Sequence, residues 1–352
     1  MDAQIIWLIL IVVFCVGFDF INGFHDAANS IATVVSTRVL TPNQAVLWSA
    51  FFNFVAFFIA KYIIGEFGVA DTVSKTVEVN VLESNGISFL PVVFSGLFAA
   101  IVWNLFTWKM GIPSSSSHTL IGGLAGAAIA AYGFGAVHSQ IILTIIAFIF
   151  VAPLIGFLAG NLIMAITLNL CRKAKPHKAD KWFKIAQLFS SALLSIGHGL
   201  NDSQKEMGII AATIMSITAA GIELPDWVAM GSMDDLHDWI PIACFTAIAA
   251  GTMSGGWKIM KTMGNKITKI TPIEGFCAQT AGAITLFITQ TFKVPVSTTH
   301  VISGSIMGVG AVKRLSAVRW GVIIELVTAW LLTIPISALI AMGVYSVVNL
   351  FL

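Results

Sequence analysis

Charge is scarce in this sequence. Asp, Glu, Lys and Arg together make up 10% of its 352 residues, against roughly a quarter in a typical soluble domain. So little charge excludes an ordinary soluble enzyme. The net charge of +2 favours no partner of either sign, and no nucleic-acid partner is expected. Cysteine is sparse too: Cys15, Cys171, Cys244 and Cys277 lie in or beside apolar segments with no paired spacing, which excludes a disulfide or metal framework. No Gly-x-x-x-x-Gly-Lys-Ser/Thr string occurs, so ATP is not the expected source of energy.

Long apolar runs are abundant. Hydrophobic residues fill 57% of the chain, and the runs 5–20 (extended through the polar string after it), 88–108, 141–170 and 320–352 suit the roughly 18 residues that mark a spanning helix. The fold class expected is an all-α polytopic membrane protein. The start lacks a basic n-region and its apolar run leads straight into a polar string, so no cleavable signal peptide is expected.

The few charges are sorted by position. Arg38, Lys109, 172–184, 258–269 and 313–319 hold 15 of the 19 Lys and Arg, whereas Asp2, 66–83 and 223–238 are acidic. Basic loops stay cytoplasmic. Threading the chain accordingly puts both termini outside, with spans near 42–65, 88–108 and 139–171 in the first half. The first half crosses an odd number of times, so the second runs in the opposite orientation. This predicts two inverted-topology repeats of about five spans each, 1–171 and 185–352, joined by a cytoplasmic basic linker, 172–184. Lys61 and Lys293 fall near the outer face, where snorkelling would explain them.

Two polar strings occur twice. Gly23-Phe24-His25-Asp26-Ala27-Ala28-Asn29 is echoed by Gly199-Leu200-Asn201-Asp202-Ser203-Gln204-Lys205, and Pro113-Ser114-Ser115-Ser116-Ser117-His118-Thr119 by Pro295-Val296-Ser297-Thr298-Thr299-His300-Val301. An intramembrane carboxylate costs on the order of 2.5–3.5 kcal/mol by insertion measures, and two at matching repeat positions point to a site. Gly23, Asn29, Gly199 and Asn201 are expected to break their helices at the midplane. Pro113 and Pro295 suit a helix's first turn, where hydroxyls beside unpaired N–H groups receive an oxyanion. His118 and His300 are expected to fix these re-entrant hairpins by hydrogen bonds. A phosphate-like anion beside two aspartates totals about three to four negative charges, and two helix termini return about one positive unit. Such a site needs a cation, so cation–anion symport is expected. Asp19, Glu206, Glu274 and Glu325 are further intramembrane acids. Glu274 begins the span before the second hydroxyl string and is a coupling candidate.

These strings resemble the inorganic phosphate transporter (Pit) family along the whole chain. NGFHDAANSIATVVSTR near residue 22 and GHGLNDSQK near 197 are similar to its paired signatures, and PSSSSHT and PVSTTHV to its paired hairpins. The resemblance implies phosphate symport with H⁺ or Na⁺ by a homodimer in the cell (inner) membrane, with no resident cofactor. A neutral complex of phosphate with a divalent metal is a further implied cargo. Asp26, Asn29, Asn201 and Asp202 would bind cation and phosphate; Ser114, Ser115, Ser116, Ser117, Thr119, Ser297, Thr298 and Thr299 would line the phosphate site. His25 stands where the second copy has Asn201, and an imidazole there leans toward proton coupling. Sulfate carriage is the nearest alternative, but sulfate has no proton to offer an aspartate. A Ser117–His118 hydrolase fits a duplicated string poorly, and a passive channel needs no paired aspartates.

Overall fold

The computed structural model describes residues 3–352; Asp2, counted among the acidic positions, lies outside them. Thirteen α-helices run along the described chain: α1 (Ala3–Ser36), α2 (Pro42–Ile59), α3 (Gly68–Ser74), α4 (Val79–Ser84), α5 (Phe89–Met110), α6 (Ser116–Tyr132), α7 (Ser139–Leu170), α8 (Pro176–Ala219), α9 (Trp239–Ser254), α10 (Trp257–Asn265), α11 (Pro272–Thr291), α12 (Thr298–Lys313) and α13 (Trp320–Val348). No strand forms among them; Val77 and Val137 make an isolated bridge. The protein is an all-helical, multi-pass membrane protein.

Sequence chemistry sets the ends of these helices. Thr41 and Gln44 form a capping box with Pro42 in the first turn of α2, and Thr271, Glu274 and Pro272 do the same for α11. Each box satisfies N–H groups that a helix start leaves open. Gly111, at φ 69°, closes α5 in the left-handed region that suits glycine. Gly255 and Gly256 separate α9 from α10, which bend 74° apart. Pro176 starts α8, so most of the basic stretch 172–184 is helical and only 171–175 connects the halves.

Five helices are long and apolar enough to cross a membrane: α1, α2 with the π-turn after it, α5, α7 and α13; the bent pair α9–α10 makes a sixth. This is fewer than ten in part because α6 and α12, which open with the hydroxyl strings, are short, and α8, which carries the second aspartate string, is more polar. With 17 and 16 residues, α6 and α12 reach about 25 Å at 1.5 Å per residue, short of the roughly 30 Å hydrocarbon core. Apolar side chains on the outer helices, including Leu154, Leu158, Leu162, Ile324 and Leu339, remain exposed, as lipid contact allows.

The halves exchange packing partners. α1 lies on α9 as α8 lies on α2; α5 holds α6 as α11 holds α12; and α6 lies on α13 as α12 lies on α7. The last two contacts are glycine-lined. Gly122 and Gly126 face Ile334 and Ala338 of α13, and Gly304 and Gly308 face Pro153 and Phe157 of α7, where a Cβ would strike backbone. Small residues four apart allow this approach without water's help. Both glycine pairs, and the interior prolines Pro153 and Pro335, recur at an offset of 182 residues.

Two sequence expectations are corrected. The helices are not broken at the aspartate strings, since α1 and α8 run through them. Gly23 and Gly199 serve packing instead: a Cβ at Gly23 would strike Ile248 and Thr252, and one at Gly199 would meet Asn53 and Ala56. Lys61 and Lys293 do not snorkel either. Lys61 pairs with Asp238 at 2.6 Å and Lys293 with Glu66 at 2.7 Å, each bridging the two halves.

Candidate functional site

The four polar strings converge. α1 and α8 cross the interior antiparallel, with Thr37 bonded to Gln187 at 2.9 Å toward one end and Asp26 near His198 and Asp202 further along. The starts of α6 and α12 meet them there. Ser115 and Ser297 are the N-caps, their hydroxyls accepting from the N–H groups of His118 and His300 at 3.2 and 3.3 Å. Pro113 and Pro295 therefore precede the caps by two residues rather than opening the first turn. The fixed proline φ keeps the approach extended, so the cap hydroxyls turn back onto the helix.

Thr298 is the centre of the geometry. Its hydroxyl lies 3.4 Å from both Asp26 Oδ2 and Asp202 Oδ2. Asn29 donates to Thr298 at 3.2 Å and to Thr299 at 2.9 Å. Lys205, 1% exposed, donates to the Asp202 carboxylate and, at 2.5 Å, to Ser117 Oγ. Ser117 in turn donates to the Val296 carbonyl at 3.2 Å. One aspartate string and one hydroxyl string from each half are thus joined within a few side chains.

The two aspartates have different partners. Asp26 accepts from His25 at 2.6 Å, and the other nitrogen of His25 meets Thr107 at 3.1 Å and Ser114 at 3.3 Å. Asp202 meets His198 at 3.1 Å, whose second nitrogen faces Asn53 at 3.2 Å. Asp26, His198 and Asp202 each bring a ligand atom within 4.8 Å of the others, a set able to hold a small cation. Ser116 Oγ and Asn29 Oδ1 are buried without protein partners, leaving polar capacity for a ligand.

Other expected residues sit elsewhere. Asn201 donates to the carbonyls of Gly197 and Leu286 at 3.0 and 3.3 Å, tying α8 to α11. Thr119 returns its hydroxyl to the Ser115 carbonyl at 2.8 Å. Glu274 belongs to the α11 cap and pairs with Lys313 at 2.5 Å, so it does not join the site. The His118 side chain makes no hydrogen bond, whereas His300 meets the Ile149 backbone on α7. Their ring centroids lie 4.8 Å apart, His300 stacks on Trp330 at 4.0 Å, and the His118 nitrogens have no partner. No Ser117–His118 nucleophile pair exists.

Sequence reasoning left His198, Thr107 and Asn53 unnamed and gave Lys205 no role in the site. His198 and Lys205 were findable, because on an unbroken helix positions four before and three after Asp202 share its face. Thr107 and Asn53 depend on contacts between distant helices and carried no local signal.

The Phosphate transporter family profile matches residues 22–341. A probable low-affinity inorganic phosphate transporter of Rhizobium meliloti (strain 1021) is 46% identical, covering 99% of both chains. One from Bacillus subtilis (strain 168) is 42% identical with the same coverage. A solved structure of a sodium-dependent phosphate transporter superposes with a TM-score of 0.82 at 26% identity, over 98% of this chain and all of that one. With the paired strings gathered at one point and relatives matching end to end, this chain belongs to the phosphate transporter family.

Proposed function

We propose that this transporter imports inorganic phosphate by symport with a cation, H⁺ or Na⁺. The observation that carries the reading is the Thr298 hydroxyl held between Asp26 and Asp202, beside the N-terminal ends of α6 and α12. Phosphate and two carboxylates bring about three to four negative charges. Lys205 returns one, and the two helix ends about one more between them. One to two negative charges remain, and a co-transported cation balances them. Ser115, Ser116, Ser117, Ser297, Thr298 and Thr299 would supply hydroxyl and N–H donors to the phosphate oxygens.

The carboxylates also bear on the choice of anion. Phosphate keeps at least one proton at neutral pH and can donate it to Asp26 or Asp202. Sulfate cannot, and the same carboxylates repel it. We further propose that the halves form inverted repeats that alternate access about this site, in a homodimer of the inner membrane with both termini outside. The placement of the basic loops supports that orientation.

The test is radiolabelled phosphate uptake into proteoliposomes under separately imposed pH and sodium gradients, with excess sulfate as competitor. Accumulation under one gradient, unaffected by sulfate, is the expected result. Gradient-independent flux or sulfate uptake would overturn the reading. Uptake that survives chelation assigns free phosphate as cargo, and uptake restored by magnesium assigns a metal–phosphate complex.

A further inference from the structure

A second acidic group lies one level away from the phosphate site and takes no part in it. Asp19 of α1 and Glu206 of α8 are both fully buried, and their carboxyl groups meet each other across the α1–α8 interface. Asp19 is seven residues before Asp26, and Glu206 is four after Asp202. Because the helices run antiparallel, both offsets lead the same way, toward the end where α1 begins. That is the outer side in the orientation proposed above.

The pair is short of donors. No side-chain hydroxyl, amide, imidazole or ammonium group donates to a carboxylate oxygen of either residue; the Cys244 thiol is the side-chain donor that reaches Asp19. The contact is acceptor against acceptor. The groups around it do not neutralise it. Cys15 lies on the same helix and Cys244 faces it from α9; Asp202 and Lys205 lie on α8, and Lys205 is already committed to Asp202 and Ser117. α2 (Pro42–Ile59) brings no titratable side chain, α5 only Lys109 at its far end, and α3 only Asp71, which is paired with Lys75. Two ionised carboxylates in contact in a dry interior repel each other and each forfeits its hydration. One proton placed between them turns the repulsion into a hydrogen bond.

A second observation links the pair to the site. Asn22, 1% exposed, lies between Asp19 and Asp26 on one face of α1, and neither of its amide atoms has a partner. It offers one donor and one acceptor between the two levels. The coupling candidates suggested by sequence are occupied instead, since His25 spends both nitrogens on Asp26, Thr107 and Ser114 and Glu274 caps α11.

We propose that Asp19 and Glu206 form the binding site of the coupling proton. The pair keeps one proton throughout, and its remaining carboxylate takes up a second as phosphate enters, becoming a neutral acid; that proton leaves when the site opens to the other side. This rests on the reading of the chain as a cation-coupled phosphate symporter, and selects H⁺ as the cation.

The test uses the full-length protein in proteoliposomes and two assays. Counterflow exchanges labelled for unlabelled phosphate and needs no net proton movement, whereas accumulation under an imposed pH gradient does. The combined Asp19→Asn/Glu206→Gln substitution fixes the neutral form, whereas either amide alone leaves one carboxylate able to take up the cycling proton. The double variant is expected to keep counterflow within about twofold of wild type and to lose at least tenfold in gradient-driven accumulation. A double variant that accumulates phosphate like wild type, with the same pH profile, overturns the proposal. So does a wild type driven by sodium and indifferent to pH, which leaves phosphate transport standing. A wild type without counterflow overturns the phosphate reading itself. Should the double variant not fold, Asp19→Glu and Glu206→Asp keep a titratable group. Gradient-driven accumulation with a displaced pH profile then supports the site, and an undisplaced profile overturns it.

Discussion

Asn29 and Thr299 lie 270 residues apart in sequence and share a 2.9 Å hydrogen bond. It ties the aspartate string of one half to the hydroxyl string of the other. The same amide reaches Thr298, so a single side chain sets both hydroxyls at the start of α12. Neither half can present its part of the site alone.

Asn29→Ala should therefore loosen the anion site without unfolding the protein. Leaving buried hydroxyls without their donor costs roughly 1–3 kcal/mol. The KM for phosphate should rise by about five- to a hundredfold, with the folded fraction unchanged by size-exclusion chromatography. A KM within twofold of wild type would remove Asn29 from the site.

Asp26→Asn and Asp202→Asn keep the shape of the side chain and remove the charge. Each should abolish gradient-driven phosphate uptake, because the amide neither attracts a cation nor accepts the phosphate proton through two oxygens. Both proteins should remain folded. Wild-type accumulation in either variant contradicts the role given to that carboxylate.

Lys205→Met tests the fixed positive charge. Removing one member of a buried ion pair typically costs about 3–5 kcal/mol, because the other is left uncompensated. Lys205→Met should lower thermal stability in detergent more than the combined Asp202→Asn/Lys205→Met protein does. A double-mutant cycle reads this coupling directly, and simple additivity would mean that the two groups do not interact.

Much of the fold is legible in the sequence. The apolar runs near 42–65, 88–108 and 139–171 correspond to α2 with its π-turn, α5 and α7, whereas the ends set by Pro42, Pro272, Gly111 and Gly255 emerge only in the structure. The four strings announced themselves by their duplication. Local chemistry misled at Gly23 and Gly199, where a residue known for breaking helices instead admits a neighbouring backbone. The partner that decides between those roles lies more than a hundred residues away. Separations of 82 and 145 residues hid Thr107 beside His25 and Asn53 beside His198, and the acid partners of Lys61 and Lys293 lie in the other half of the chain.

The Lys293–Glu66 pair makes a prediction about pH. Lys293 sits in the α11–α12 connection, outside the spanning segments, in the left-handed region at φ 57°. The hydrogen bond and charge of Glu66 hold its ammonium above the ordinary lysine value. A folded-state pKa raised above the unfolded one contributes stability in full below the unfolded value, about 10.4, and loses it as pH rises through the folded value. The stability difference between wild type and Lys293→Met should thus stay constant from about pH 7 to 9 and shrink only above the ordinary lysine value. Both side chains are about half exposed, so added salt should diminish the difference at every pH. Thermal melts in detergent across pH and ionic strength measure it. A difference that vanished between pH 7 and 9, or ignored salt, would mean that packing of the Lys293 stem against Gly68, rather than its charge, links the halves at this face.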